Sequence, residues 1–186
     1  MRFFLLFAVL GLVSACRSPE PNFYQPVAST TYNMTYPKIN NTILIGTVLL
    51  PAEASRPQIT TLGDEDYELN IDEFNRWGAN PERLFQNTIN ENLSKLLPNA
   101  TIENQTSLRK NYKYAVVVEI TKMSGRLDDC AILEASYFIK NSKGYIIKKG
   151  KFYNKIKIDG EYEQYIPAQS KLLAELCEKI ANDLNK

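Results

Sequence analysis

The chain has 186 residues, with 22 Lys and Arg against 21 Asp and Glu, three cysteines and no histidine. The near-neutral balance gives no global field for nucleic acid. The missing histidine removes the commonest general base and metal ligand, and with it the Ser-His and Cys-His nucleophile pairs. The length suits a domain that buries a core without staples.

An apolar run, residues 3–13, follows one basic residue, Arg2. It is shorter than the roughly 20 apolar residues of a membrane-spanning helix and fits the apolar core of a secretory signal. The next residues lead to a cysteine, and Val13-Ser14-Ala15-Cys16 resembles the bacterial lipobox. That resemblance implies cleavage after residue 15, acylation of Cys16, and a polar tether over residues 16–22 ahead of a single domain at 23–186. At roughly 3.3 Å per residue the tether spans at most about 20 Å. Arg17 follows the cysteine, where inner-membrane retention in many Gram-negative bacteria uses Asp, so the lipoprotein class implies the outer membrane.

Phe23-Tyr24 opens a first short strand, and residues 27–41, rich in Thr, Asn and Tyr, read as a loop. Residues 42–50 (TILIGTVLL) are nearly continuous apolar, which predicts a central strand ended by Pro51. Residues 58–62 and 67–71 predict a hairpin across the acidic turn 63–66. A helix then begins cleanly: Asn80 is an N-cap, Pro81 suits the first helical position and Glu82 the positive end of the dipole. Phe85, Ile89, Leu93, Leu96 and Leu97 form its apolar stripe, and Pro98 stops it. Residues 99–111 read as a polar connection. Three strands at 112–123, 131–139 and 145–158 predict an antiparallel meander. A last helix, 166–184, carries Pro167 near its first turn and the stripe Leu173, Leu176, Cys177, Ile180 and Leu184. The order predicts an α+β fold, one twisted, mainly antiparallel sheet with two amphipathic helices packed on it.

Several features can be read in two ways. Cys130 and Cys177 either pair in an oxidising compartment or pack as two separate thiols. The acidic run Asp64, Glu65, Asp66, Glu68, Asp72 and Glu73 can be read as catalytic carboxylates or calcium ligands, but lacks the spaced ligands and glycine of a calcium loop; a solvated turn is the plainer reading. No metal or cofactor is predicted. Lys149, Lys151, Lys155 and Lys157 share one face of the last strand with Tyr153, and seven lysines and no acid lie between Phe138 and Ile158. They form either a basic face for an acidic partner or anionic lipid, or a guard against aggregation on an edge strand. Trp77, beside Phe74 and Arg76, is either an exposed anchor or core.

The order of these motifs resembles the PqiC-like family of ABC-type transport auxiliary lipoproteins, of the paraquat-inducible Pqi system. The residues that carry it are the cysteine at 16, Phe23-Tyr24, Leu50-Pro51, Arg56-Pro57-Gln58-Ile59, Arg76-Trp77, and the helix with Asn92-Leu93-Ser94 and Leu97. Ala54-Ser55 and Gly78-Ala79-Asn80-Pro81 depart from the family's usual residues. The resemblance implies a non-enzymatic outer-membrane lipoprotein that works with a periplasmic MCE-domain protein and inner-membrane transporter components in lipid transport, in some members as a homo-oligomeric ring. It marks Arg56, Gln58, Arg76 and Trp77 as candidate partner contacts. Two other classes stand beside it: an assembly or structural lipoprotein partnering an outer-membrane β-barrel, which a small α+β domain close to the membrane suits equally well, and a periplasmic hydrolase built on the acidic run, against which the absence of histidine counts.

Overall fold

The structure, a computed structural model, describes residues 19–65, 67–104 and 111–186. The predicted signal, Cys16 and Arg17 lie outside the described residues, as do Asp66 and part of the 99–111 connection. The elements in order are β1 (Asn22–Tyr24), β2 (Thr42–Ile45), β3 (Gln58–Leu62), β4 (Leu69–Trp77), α1 (Pro81–Leu96), β5 (Thr101–Asn104), β6 (Tyr114–Arg126), β7 (Cys130–Asn141), β8 (Ile146–Lys157) and α2 (Tyr162–Leu184). The α+β class, both helices, the β3–β4 hairpin and the β6–β7–β8 meander match the sequence reading.

The single sheet does not. The strands form a three-stranded sheet, β1-β4-β3, and a five-stranded sheet, β5-β2-β6-β7-β8. The larger sheet is mixed, since β2 pairs in parallel with both β5 and β6. Chain direction explains this. The predicted strand 42–50 pauses after Ile45, resumes as one bridge from Leu49 to Glu119, and ends at Pro51. Pro51 has no N–H for a ladder, and its carbonyl accepts from Ala54 and Ser55 N–H in a turn that carries the chain out of the sheet. α1 then returns the chain to the end where β2 began, so β5 enters parallel to it. The sequence hides β5 because its four residues, Thr-Ile-Glu-Asn, carry too little alternation to read as a strand.

α1 begins as its sequence predicts, with Asn80 Oδ1 accepting from Arg83 N–H at 3.0 Å. α2 starts four residues earlier than Ile166 and takes Pro167 inside. The extra turn buries Tyr162 and Tyr165, whose rings meet edge to face at 6.4 Å, against the cost of the helix bond that proline cannot make. Both stripes lie on the inner face of the large sheet, against Val116, Val118, Ile120, Leu133, Ala135 and Ile139, in one core cluster. Cys177 is in that cluster, and Cys130 and Cys177 are both buried free thiols.

Both helices run in the same direction, which gives the molecule two distinct ends. At one, the start of α2 meets β1 and β4: the Tyr24 and Tyr162 rings lie 5.8 Å apart and Arg126, closing β6, donates to Gly63 O at 2.7 Å. At the other, the last turn of α2 meets the β7–β8 end, where Tyr137 donates to Asp183 at 2.7 Å and Lys148 pairs with it at 3.7 Å. α2 is about 35 Å long at 1.5 Å per residue, which sets the separation of the ends.

Between β1 and β2 the chain crosses both helices as a strap, held by polar groups set into the helix surfaces. Val27 N–H donates to Ser170 Oγ (3.1 Å), Thr88 Oγ1 to Pro26 O (3.2 Å) and Ser29 N–H to Asn92 Oδ1 (2.9 Å), which also accepts from the Tyr32 hydroxyl. Asn92 is fully buried.

Gly150 in β8 faces Tyr137, and a Cβ there would fall within the Tyr137 ring. Gly150→Ala is therefore expected to destabilise the fold by about 1–3 kcal/mol, the usual cost of overpacking, measured as a lowered urea midpoint at unchanged m-value.

Candidate functional site

The candidate contact residues sort onto the two faces of the small sheet. In the register, Gln58 of β3 lies opposite Arg76 of β4, and Arg76 lies beside Phe23 of β1. Directly paired residues share a face, so Gln58, Arg76 and Phe23 form one row across three strands, with Arg56 exposed ahead of it. Phe23 is 63% exposed. Glu73 ties the row together, accepting from Gln58 Nε2 at 3.2 Å and from the Arg76 guanidinium at 3.3 Å. Arg76 Nε is buried without a hydrogen-bond partner.

Trp77 points the other way. Its side chain is 4% exposed and meets Phe85 of α1 edge to face at 5.3 Å, while its backbone N–H donates to Pro57 O at 2.8 Å. Of its two sequence readings, the structure has the core one.

The row is shaped by a feature that the sequence reading passed over. The β3–β4 ladder jumps from Gln58↔Arg76 to Ile59↔Asp72, so Glu73, Phe74 and Asn75 bulge out of β4. Asp72 holds the bulge: its carboxylate accepts from Phe74 N–H (2.7 Å), Asn75 N–H (2.9 Å), Asn75 Nδ2 (2.9 Å) and the Tyr162 hydroxyl (3.1 Å). Burial alone pushes the Asp72 carboxyl up; the donors from Asn75, Phe74 and Tyr162 outweigh it and hold the group below its ordinary value. The signal was present as Asp72-x-x-Asn75, a local Asx pattern, but it was submerged in the acidic run. Among the described residues no three His, Cys, Asp or Glu side chains converge on one point; Asp66 of the acidic run lies outside them.

The four lysines lie where the two-residue period puts them. β8 is an edge of the large sheet, and Lys149, Lys151, Lys155 and Lys157 are exposed. They lie across from Phe138, Ser136, Ile132 and Cys130, and Tyr153 lies across from Glu134. This is the sheet face turned away from the helices. Burial pushes both Cys130 and Cys177 thiols up, so neither is poised as a thiolate nucleophile. No helix among the described residues is long and apolar enough to cross a membrane.

The sequence model described as "ABC-type transport auxiliary lipoprotein component" matches residues 24–181. The chain belongs to that family. Auxiliary lipoproteins of this kind serve ABC-type transport, which is the functional class that membership gives. The fold has solved counterparts. A crystal structure of an uncharacterized protein superposes with a TM-score of 0.74 at 19% identity, covering 89% of this chain and 99% of the other. A Xanthomonas campestris protein of the DUF330 family superposes at 0.69 with 11% identity, covering 86% and 92%. No curated protein matches the chain in sequence. In this auxiliary lipoprotein Gln58 and Arg76 are paired across adjacent strands of one sheet, so residues 18 positions apart in sequence share a surface, while Trp77 turns to the core.

Two outcomes follow. Trp77→Ala should cost about 3–5 kcal/mol as a buried aromatic truncation, while Arg56→Ala should stay within about 0.5 kcal/mol as an exposed change; thermal unfolding of the two variants separates supporting from surface residues. Asp72→Asn should lower stability by roughly 1 kcal/mol at neutral pH. Because the folded carboxyl lies below its unfolded value of about 3.9, the gap from wild type is full above about pH 4 and closes as pH falls through the folded value, as read from urea titrations at a series of pH values.

Proposed function

We propose that this chain is a non-enzymatic outer-membrane lipoprotein of an MCE-type envelope lipid transport system. Acylated Cys16 anchors it at the periplasmic face, and the folded part docks a periplasmic MCE-domain protein that connects to inner-membrane transporter components. The family match over residues 24–181 carries this reading, and the Ser14-Ala15-Cys16 stretch ahead of it supports the anchor. One myristoyl-sized chain gives only reversible binding, with about 0.8 kcal/mol per buried methylene; the several chains of a bacterial lipoprotein cysteine make the anchor permanent. The tether of at most about 20 Å keeps β1 close to the headgroups. Arg56, Gln58 and Arg76, exposed or half-buried on one face at that end, are the candidate contacts there, with Trp77 beneath them as support. Lys149, Lys151, Lys155 and Lys157 supply a basic face along the side.

The test is a mild-detergent pull-down of the tagged, lipidated protein from its own membranes, with mass spectrometry of bound proteins and lipids. The expected result is recovery of an MCE-domain protein, lost or strongly reduced with Cys16→Ala exported by a cleavable signal. Recovery of an outer-membrane β-barrel, with no MCE-domain protein even after crosslinking, would overturn the reading.

A further inference from the structure

The end of the molecule opposite β1 carries exposed apolar side chains. Tyr145, Ile146 and Ile147 are consecutive and 69%, 46% and 53% exposed. A regular strand would turn one of two adjacent isoleucines inward. Here the ladder shifts between Ile139 and Lys140, pairing Lys148 with the first and Ile146 with the second, so Ile147 is the unpaired residue of a bulge: Ile146 lies on the outer face with Lys140, Ile147 lies on the helix side near Ile139 and Leu184, and both remain about half exposed at the edge of the sheet. Beside Ile147 lies a notch of about 190 Å³, lined by Tyr114, Ile139, Ile147, Lys148 and Leu184. Its lining is mixed, with Ile139, Ile147 and Leu184 apolar and Asp183 and Lys186 also at its wall, and its size suits one side chain.

Apart from Asp183, the rim of this patch is basic. Lys143, Lys148 and Lys149 are exposed around it, Lys140 is half-buried beside Ile146, and Lys186 closes the notch. The acid facing it is Asp183, whose carboxylate is already engaged by the Tyr137 hydroxyl, Lys148 and Lys186. An exposed tyrosine and two isoleucines around a notch, ringed by lysines, match the anatomy of a protein-docking surface, with an apolar centre and a polar rim. The surface lies on the end of α2 away from β1, about 35 Å along the helix, and so faces away from an anchor ahead of β1.

We propose that Tyr145, Ile146 and Ile147, with the adjoining notch, form the apolar centre of a docking surface for a protein whose contact face is apolar at its centre and acidic around it. The anchored orientation rests on the reading of Cys16 given above; the patch and its charge do not. The lysines steer such a partner and exclude basic ones, and the notch takes one of its apolar side chains.

The test is site-specific photocrosslinking in the full lipidated chain in its own envelope, with benzoylphenylalanine replacing Tyr145, or replacing Tyr67 on the opposite end. The expected result is a protein adduct at position 145, at least tenfold stronger than at 67. It should fall at least tenfold with Lys143→Glu and Lys149→Glu combined, and also with Ile147→Ser, while melting temperatures stay close to the parent. Adducts at 145 only to lipid, or only to a second copy of this chain, would overturn the inference, as would a protein adduct indifferent to charge reversal. The two readings fail separately: a charge-sensitive adduct to a protein without MCE domains keeps the docking surface and removes the MCE assignment. An MCE-domain protein that is pulled down but never crosslinks at 145 does the reverse.

Discussion

Two helices laid in the same direction on one face of a five-stranded sheet are the constraint from which the other features follow. Their stripes, Phe85 to Leu97 and Tyr165 to Leu184, are buried against the inner residues of β6 and β7. At roughly 25 cal/mol per Å² of apolar surface this burial dominates the folding energy. Parallel helices also separate the ends of the chain's functional parts. The segment that precedes β1 enters where both helices begin, and the β7–β8 turn projects where α2 finishes. Small surface features therefore acquire a direction that neither helix would give alone.

The helix surfaces are not wholly apolar, and the exceptions carry the connection between β1 and β2. Asn92, Thr88 and Ser170 are buried polar residues whose partners come from the strap. Leaving a buried group unpaired costs about 1–3 kcal/mol, so the strap and these side chains hold one another in place. Asn92 belongs to the Asn-Leu-Ser stretch that carried the family resemblance. Its role in this chain is therefore to fix the backbone, independent of any contact with a partner. Gly150 shows the same economy on the opposite side of the core: an absent side chain in β8 lets the Tyr137 ring lie flat and its hydroxyl reach α2.

Period and punctuation made the helices, the meander and the β3–β4 hairpin legible, because each is a local pattern ended by Pro, Gly or Asn. What was hidden depended on distant pairing. β5 has no alternation of its own and exists because β2 offers it an edge. The second sheet exists because Pro51 and its turn carry the chain away. The outer row of Gln58, Arg76 and Phe23 could be listed from the sequence in pieces, but the opposite orientation of Trp77 follows from the ladder with β1. The Asp72 turn and the Ile146–Ile147 bulge were missed for one physical reason. A bulge breaks the two-residue period, so a reading based on period assigns its residues to the wrong face.

The strap gives the molecule a mechanical character. β1 has only three residues and runs parallel to β4, so a pull on the chain ahead of it acts along the strand and loads its few ladder bonds together in shear. Past β1 the load meets a series of separate anchors at Ser170, Thr88, Asn92 and Lys95, distributed over both helices. Tension on the N-terminal side is thus spread into the body of the fold and does not fall on one loop. A load applied ahead of β1 would therefore be shared between both helices through four separate hydrogen bonds.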